Sequence, residues 1–385
     1  MKFVHVGDLH LGKSLGDFDL IRDQRYILDQ IIDLAEINGA DCILIAGDIY
    51  DKSIPSEAAV GLFDYFINRL AAKKIKVFAI PGNHDSDERL HFGSGLFENS
   101  HVYISARFDG KLHRYELKDE MGKINIYLMP YIKASQVRHF YPDEEISTYH
   151  QAVKTVIDHS GIDPEERNIL VAHQFVAGGG RDPELAGSES PAVLHVGLVE
   201  QIGYDLFEMF DYVALGHIHT PQKVGRPEIR YSGSPLKYSL KECGRDKFLP
   251  IITTGAKGQV DIKLEKLKPR RDLRHLKGKL RQLLNEKNLC DTEDYIYATL
   301  TDEDPINDAM RIFRQYYPHT VRIDYDNAHT REMGQVDISN AAAGKSFEEM
   351  ISEFYEMIYG CDISEEELAM MKEAAREAGV DHETS

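Results

Sequence analysis

Short apolar runs alternate with stretches of helical periodicity over the first two-thirds of the chain. Five runs of four or five residues are rich in β-branched side chains, and each is followed by Gly, Pro, Asn or His, which is typical of buried strands. These predicted strands are Phe3–Val6, Cys42–Ala46, Val77–Ile80, Ile169–Ala172 and Tyr212–Leu215. Helices are predicted between them, for example Ile21–Ile37 and Glu57–Lys73. The β-α-β alternation predicts an α/β domain with a largely buried sheet.

The pattern changes near residue 250, where a small α/β unit is predicted. Its predicted elements are strands at Ile251–Thr254 and Gln259–Leu264, a basic helix at Asp272–Glu286, a strand at Tyr295–Thr301, a helix at Ile306–Tyr316 and a strand at Thr320–Tyr325. Asn340–Gly344 has the composition of a linker. We therefore expect domains at residues 1–268, 269–340 and 345–385.

The tail has the pattern of a helical hairpin. Ser346 with Glu349, and Ser364 with Glu367, match the capping box that starts a helix. One apolar stripe at helical spacing follows the first box, made of Phe347, Met350, Ile351, Phe354, Met357 and Ile358. Such a stripe packs either on its own chain or on a partner protein, and the pattern does not choose between the two.

Length and composition limit the class of protein. At 385 residues the chain is too long for one ordinary core, so two or more domains are expected. No apolar run is long enough to span a bilayer, and the N-terminus has no signal-peptide pattern. The four cysteines are scattered without a C-x-x-C pair, which favours a reducing cytoplasm. Cys42 lies inside a predicted strand and is expected to be a small core residue.

Net charge alone argues against nucleic acid as a partner, since the chain carries −19. The charge is unevenly distributed, with a net of −10 over Ser346–Ser385 and +7 over Lys263–Lys287. The basic stretch is either a DNA-contacting surface or a solvated helix face. Composition therefore leaves DNA binding open.

Polar motifs follow the predicted strands. They are D-x-H at Asp8 and His10, G-D at Gly47–Asp48, G-N-H-D at Gly82–Asp85, a lone His173, and G-H-x-H at Gly216–His219. Carboxylates, an amide and imidazoles in this number can hold two transition-metal ions about 3.5–4 Å apart, an arrangement that cleaves phosphate esters. The candidate ligands are Asp8, His10, Asp48, Asn83, His173, His217 and His219. Asp48 is the candidate bridge, because a carboxylate has two oxygens.

The mixture of ligands bears on the metal and on the remaining residues. Several imidazoles disfavour magnesium, and carboxylate with imidazole but no thiolate favours manganese among the alternatives iron, cobalt and zinc. His84 follows Asn83 and is expected to face the substrate, where an imidazole stabilises charge or protonates the leaving oxygen. Asp85 is expected to orient the ring of His84 from behind the ligands.

Each motif alone has an ordinary structural explanation. D-x-H is often an accidental loop pair, Asp48 suits a helix cap, and Asn83 suits a turn. Five such motifs in this order, each after an apolar strand, favour the dinuclear metal site.

The order D-x-H, G-D-x-x-D, G-N-H-D, H, G-H-x-H resembles that of the calcineurin-like metallophosphoesterases. The surrounding stretches resemble, more narrowly, the family of SbcD nuclease subunits of bacterial SbcCD complexes. Those stretches are HVGDLHLGK (5–13), GDIYDKSIPS (47–56), GHIHTPQ (216–222) and YSGSPLKYS (231–239). The resemblance implies a two-sheet sandwich flanked by helices, with a small α/β capping domain and a C-terminal helical hairpin.

The resemblance also implies residue roles. Asp8, His10, Asp48 and His219 would hold one metal, and Asp48, Asn83, His173 and His217 would hold the other. His84 would be the catalytic histidine. Some relatives carry a phosphate-contacting histidine near the position of Asp51, and this chain has none there.

A manganese-dependent nuclease of the cytoplasm is the implied function. It would act as a 3′–5′ exonuclease on duplex DNA ends and as an endonuclease on hairpins and single strands, in DNA repair, recombination and replication. The implied assembly is a heterotetramer of two such chains with two SbcC ATPases, which the tail would bind. Homodimerisation would use Glu57–Lys73 and Glu88–Glu98. The alternatives are a phosphatase or cyclic phosphodiesterase of small molecules and an inactive DNA-end-binding scaffold.

Overall fold

The computed structural model describes residues 1–178, 183–186, 201–304, 306–327, 351–352, 363–364, 367–368 and 370–372. The chain divides into two compact units. One comprises 1–276, 284–298 and 308–323, and the other comprises 277–283, 299–307 and 324–385. In the described part of the chain, no helix combines the length and apolar character that crossing a membrane requires.

Strands and helices alternate along the described residues. The strands are β1 Lys2–Val6, β2 Ser14–Leu15, β3 Phe18–Asp19, β4 Cys42–Ala46, β5 Lys76–Ile80, β6 Val102–Ile104, β7 His113–Asp119, β8 Gly122–Met129, β9 Arg167–His173, β10 Val176–Ala177, β11 Ile202–Gly203, β12 Tyr212–Gly216, β13 Gln222–Val224, β14 Arg226–Tyr231, β15 Lys247–Thr254, β16 Val260–Leu267, β17 Leu273–Gly278, β18 Tyr295–Leu300 and β19 Thr320–Tyr325. The helices are α1 Ile21–Ile37, α2 Glu57–Ala72, α3 Asp87–His91, α4 Ser94–Phe97, α5 Ala134–Phe140, α6 Tyr149–Asp158, α7 Leu280–Leu283 and α8 Ala309–Arg314. Short 3-10 turns occur at Glu98–Ser100, Tyr204–Phe207 and Leu240–Glu242.

Two six-stranded sheets pack face to face in the first unit. Their strand orders are β16-β15-β1-β4-β5-β6 and β13-β14-β12-β9-β8-β7. Apolar side chains of both sheets meet in one buried cluster, with Phe3, Leu44 and Phe78 from one sheet and Ile126 and Val171 from the other. The α/β sandwich that the resemblance implied is confirmed.

The central strands of each sheet run parallel. β1 pairs with β4 and β4 with β5, while β8, β9, β12 and β14 are parallel neighbours in the second sheet. Their residues are almost wholly buried on both faces, as continuous apolar runs of parallel strands are expected to be. All five predicted strands are present, and Cys42–Ala46 has the predicted bounds and includes the buried Cys42.

Helices cover the outer face of each sheet. α1 and α2 pack on the first sheet, and α5 and α6 pack on the second. α1 buries Ile27, Ile31 and Leu28 at helical spacing, and α2 begins at Ser56, whose side chain accepts a bond from the Ala59 amide at 3.3 Å. The predicted bounds of α1 are confirmed, and α2 ends one residue earlier than predicted.

A three-stranded sheet in the order β17-β18-β19 follows the sandwich in the sequence. The predicted basic helix over Asp272–Glu286 is wrong, because its first half is the strand Leu273–Gly278. Leu273 is buried, and side chains then alternate between half-buried Arg274 and Leu276 and exposed His275 and Lys277. The charges hid this two-residue alternation, which is the period of a strand. The predicted helix at Ile306–Tyr316 is shorter, Ala309–Arg314.

Candidate dinuclear metal centre

The predicted ligands lie where parallel strands of the two sheets end. Asp8 follows β1, Asp48 follows β4, and Asn83 follows β5 by three residues. His173 is the last residue of β9, and His217 directly follows β12. Parallel strands present their carboxyl ends at one edge of a sheet, so the packing of two sheets brings five such ends together.

One group of side chains surrounds the D-x-H motif. The Nε2 atoms of His10 and His219 lie 3.0 Å apart, and Asp8 belongs to the same group, within 4.8 Å. The amide of His217 donates to Oδ1 of Asp8 at 2.8 Å, which orients that carboxylate. The group therefore draws ligand atoms from both sheets.

A second group surrounds His173. Its Nε2 lies 3.1 Å from Oδ1 of Asn83 and 3.3 Å from Nδ1 of His217. Nδ1 of His217 is also 2.8 Å from Oδ1 of Asn83. Asp48 lies between the two groups, since its Oδ2 is 3.6 Å from Nε2 of His10 and 3.4 Å from Nε2 of His173. This is the place that a bridging carboxylate would take.

Backbone strain is concentrated at these residues. Asp8, His10, Asp48 and His217 have φ values of 52°, 45°, 46° and 96°, in the left-handed region that non-glycine residues rarely adopt. Such strain costs about 1–3 kcal/mol at each residue and persists where the surrounding structure imposes it. Here the loops after β1 and β4 impose it by continued pairing, with the amides of Asp8 and His10 donating to the carbonyls of Gly47 and Asp48.

Glycines before the ligands permit the close approach of the sheets. A Cβ on Gly216 would lie 1.8 Å from the Ala46 carbonyl oxygen, and one on Gly82 would lie 2.1 Å from Oδ1 of Asp48. The ring of His173 occupies the corresponding space at Gly47, 2.4 Å from where a Cβ would be. The glycines of the G-D, G-N-H-D and G-H-x-H motifs are therefore required by space as well as by turn geometry.

Asp48 and His173 form a buried charge pair. Burial alone would raise the pKa of Asp48, but the imidazoles of His173 and His10 hold it well below its usual range. Burial opposes protonation of His173, yet the neighbouring Asp48 raises the pKa of His173 to about 9. Nδ1 of His173 donates to the Ala46 carbonyl at 2.8 Å, so Nε2 faces the site.

The other imidazoles are held neutral. Burial lowers the pKa of His10, and burial with the neighbouring His173 lowers the pKa of His217 to about 3. The pKa of His219 lies well below its usual range, again mainly through burial and then through His10. A neutral imidazole is the form that ligates a metal ion.

His84 lies at the opening of the site. Its side chain is half-buried, and its ring meets the ring of His10 edge-on at a centroid distance of 4.9 Å. Its Nδ1 donates to the carbonyl of Asp51 at 3.0 Å, and its amide donates to Oδ1 of Asp48 at 2.9 Å. Nε2 is therefore the ring nitrogen that can exchange a proton with a substrate.

Asp85 has a different role from the predicted one. Its carboxylate accepts from the amides of Ile49, Tyr50 and Gly82 at 3.0, 2.8 and 2.9 Å, so it ties the loop after β4 to the loop after β5. Burial and the charge of Asp48 raise the pKa of Asp85 to about 7. The backbone carbonyl of Asp51, rather than Asp85, contacts Nδ1 of His84.

Asp51 was missed as a site residue in the sequence. Its Oδ1 lies 3.5 Å from Nδ1 of His10 and 2.6 Å from Nζ of Lys13. Burial would raise its pKa, but His10 and Lys13 hold it well below its usual range. The G-D-x-x-D spacing was the available signal. In the described part of the chain, the three groups of acidic and histidine side chains close enough to share a metal ion all lie at this edge.

The predicted partner-binding stripe is only partly described. Phe347, Met350, Phe354, Met357 and Ile358 lie outside the described residues, whereas Ile351 is helical and half-buried. The second capping box is confirmed, with the Glu367 amide donating to Oγ of Ser364 at 3.3 Å and the Ser364 amide donating to Glu367 at 3.1 Å.

Family comparisons cover most of the chain. The family model described as calcineurin-like phosphoesterase matches residues 1–221, and the model described as type 5 capsule protein repressor C-terminal domain matches residues 269–359. A Staphylococcus epidermidis protein, named as the SbcD-type subunit of the nuclease SbcCD, is 34% identical over 345 residues, which are 88% of this chain and 89% of that protein.

Two solved structures are more distant. A dimetal phosphatase from Danio rerio is 11% identical over 70% of this chain and 96% of its own, with a TM-score of 0.41. An archaeal phosphodiesterase is 11% identical over 69% of this chain and 99% of its own, with a TM-score of 0.31. Similarity this low says nothing about the activity of the chain.

Proposed function

Since the chain belongs to the SbcD nuclease subunits within the calcineurin-like phosphoesterases, we propose that it hydrolyses phosphodiester bonds of DNA using two divalent metal ions. Membership makes it a phosphodiester hydrolase. The observation that carries the proposal for this chain is the position of Asp48, whose Oδ2 lies between His10 and His173 at 3.6 and 3.4 Å. A carboxylate between two imidazole groups suits a pair of cations.

The residues present fit two metal ions. Within each group, ring nitrogens without intervening hydrogen-bond acceptors approach to 3.0 or 3.3 Å while buried, a contact that two N–H groups would make repulsive. Lone pairs directed at one another are compensated by a cation between them. Asp8, His10, Asp48 and His219 would hold one ion, and Asp48, Asn83, His173 and His217 would hold the other. Imidazole with carboxylate and no thiolate supports Mn²⁺.

Bound ions would neutralise the phosphodiester and activate the attacking water. The protein residues then have separate tasks. His84 would give a proton to the leaving oxygen from Nε2, because its Nδ1 is held by the Asp51 carbonyl. Asp85 keeps the loops that carry Asp48 and Asn83 at a constant separation through its three backbone bonds.

The finer activity follows the name of the S. epidermidis relative, a subunit of a nuclease complex. We propose a 3′–5′ exonuclease on duplex ends that also cuts hairpins and single strands, in a cytoplasmic assembly of two chains with two SbcC ATPases. The proposed domains are 1–268 for hydrolysis, 269–340 for selecting DNA and 345–385 for binding the ATPase. Exposed Phe92 and Leu96, at 84% and 74%, support dimerisation through residues 88–98.

A cleavage assay tests the activity. Linear duplex DNA, hairpin DNA and a small phosphate ester are each incubated with the full chain, with Mn²⁺ or with a chelator. Cleavage of both DNA substrates only with Mn²⁺ is expected. Hydrolysis of the small ester alone, or DNA cleavage that is equal with and without metal, would refute the proposal.

His84→Ala separates catalysis from metal binding in the same assay. The variant should retain the metal content of the wild-type chain and lose about 10²–10⁴-fold in cleavage rate, the usual contribution of a proton-transferring residue. His139→Ala is the matched control, since His139 is exposed on α5. Loss of bound metal in His84→Ala would instead make His84 a ligand.

A further inference from the structure

A buried ion pair lies behind the D-x-H half of the site. Nζ of Lys247, the first residue of β15, is 2.6 Å from Oε2 of Glu242, and their side chains are only 5% and 1% exposed. Nζ also donates to the carbonyl of His219 and to Oγ of Ser234, both at 2.9 Å. All three ammonium protons therefore have acceptors, one of them the backbone of a candidate metal ligand.

Stability is a weak reason for burying this pair. Removing two charges from water costs several kcal/mol each, and well-packed apolar replacements are often as stable. Surface ion pairs avoid this cost, as in Lys266 with Asp246, both more than half exposed. What the pair contacts is therefore the better guide to its role.

The loop between β14 and β15 is shaped around the His219 carbonyl. This oxygen accepts from the Ser234 amide at 3.2 Å as well as from Lys247. Gly233 has a φ of 73°, and a Cβ there would lie 2.7 Å from the same oxygen. The YSGSPLKYS stretch, which the proposed chemistry does not use, thus encloses the backbone of one ligand.

The same loop reaches the second histidine of this half. Oε1 of Glu242 accepts from the amide of Tyr238 at 3.0 Å. The hydroxyl of Tyr238 donates to the carbonyl of Leu9 at 2.6 Å, between Asp8 and His10 in the chain. Its ring meets the ring of His10 edge-on at 5.7 Å. Glu242 therefore acts on His10 through Tyr238, while Lys247 acts on His219 directly.

We infer that the Glu242–Lys247 pair positions His10 and His219 so that their Nε2 atoms share one metal ion. Lys247 and Glu242 are positioning residues, and the inference rests on the proposed dinuclear site. The other half is held differently, because the Ala46 carbonyl fixes His173 and Asn83 contacts His217. Loss of the pair should therefore weaken one metal site and spare the other.

Metal titration of the full-length chain tests this selectivity. Mn²⁺ binding is measured by calorimetry, and metal content by elemental analysis, for wild type, Lys247→Met and the double variant Glu242→Gln with Lys247→Met. The double variant leaves no uncompensated buried charge and keeps an acceptor for the Tyr238 amide. Lys266→Met is the matched control, an exposed lysine on β16 whose pair contacts no ligand.

In the double variant, one Mn²⁺ should bind as in wild type and the second at least tenfold more weakly, with unchanged far-ultraviolet circular dichroism. Two sites of wild-type affinity in that variant would overturn the inference. If the double variant does not fold, Tyr238→Phe decides, since it removes only the hydroxyl bond to Leu9. Weakening of one site there supports the inference, and two unchanged sites overturn it. Failure of the wild-type chain to bind two ions would refute the proposed function instead.

Discussion

Gly216→Ala should separate the two sheets at the site. Gly216 ends β12, and an added Cβ would lie 1.8 Å from the carbonyl oxygen of Ala46 and 2.8 Å from Nδ1 of His173. Real Cβ contacts are essentially never under 3.0 Å, so one strand must move by at least about 1.2 Å. The obstructing oxygen belongs to the backbone of a central strand, which cannot rotate away as a side chain can.

Two terms set the expected magnitude. Overpacking of a close-packed interior costs about 1–3 kcal/mol. The movement also breaks the bond from Nδ1 of His173 to the Ala46 carbonyl, and an unsatisfied buried polar group costs about 1–3 kcal/mol more. We therefore expect the free energy of unfolding to fall by about 3–5 kcal/mol, with loss of bound metal.

Urea unfolding with metal analysis measures both effects. Gly61→Ala is the matched control, because Gly61 lies inside α2 with no atom within 4 Å of the added Cβ. Alanine is favoured over glycine there by about 0.5–1 kcal/mol, so the control should be slightly stabilised. If Gly216→Ala matched Gly61→Ala in stability and metal content, the argument for tight contact between the sheets would be wrong.

Two further predictions concern other parts of the chain. The guanidinium of Arg167, with Nη2 2.6 Å from Oδ1 of Asp119, holds the pKa of Asp119 well below its usual range. Such a carboxylate stabilises the fold above its unfolded pKa of about 3.9, and this stabilisation is lost as pH falls toward the folded pKa. Asp119→Asn should thus lower the free energy of unfolding by about 2 kcal/mol at pH 7 and have a shrinking effect below pH 4, as urea unfolding across pH can measure. An effect independent of pH would contradict this cause. Phe354→Asp should abolish co-purification with the SbcC ATPase while the isolated chain still cleaves DNA, whereas Glu356→Ala, off the apolar stripe, should retain the partner. Unchanged co-purification of Phe354→Asp would reject the partner-binding role of the stripe.

The elements that carry the candidate site were the easiest to predict from sequence. Central parallel strands are buried on both faces, so Cys42–Ala46 is apolar throughout and its bounds are unambiguous. Each candidate ligand directly follows such a run, and parallel strands end at one edge. Local pattern alone therefore placed the motifs on one side of a sheet.

Strand partners were harder to predict, because pairing depends on residues far apart in the chain. The alternation pattern indicated one buried sheet, and only the family resemblance implied two. β17 was taken for a helix because Arg274 and Lys277 made its inner and outer faces equally polar. A half-buried strand whose inner side chains are charged has no apolar period to detect.

Residues that support the ligands gave little sequence signal. Glu242 and Lys247 stand in the charged stretch KECGRDK, which has the composition of a solvated turn. Their burial follows from the position of β15 between β1 and β16, a long-range pairing. Asp51 is similar, since only its distance to His10 distinguishes it from a loop carboxylate.

Both halves of the candidate centre contain side chains from both sheets. His10 meets His219 across the sandwich in one half, and Asn83 meets His173 in the other. Neither half can therefore assemble before the sheets pack, and the motif glycines that allow the packing belong to the site as much as the ligands do. Ions that bind only the packed state also stabilise it, because ligand binding to the native state shifts the folding equilibrium. The strained backbone of Asp8 and Asp48 and the close imidazole pairs are then costs that bound ions would offset, which couples the stability of the sandwich to its chemistry.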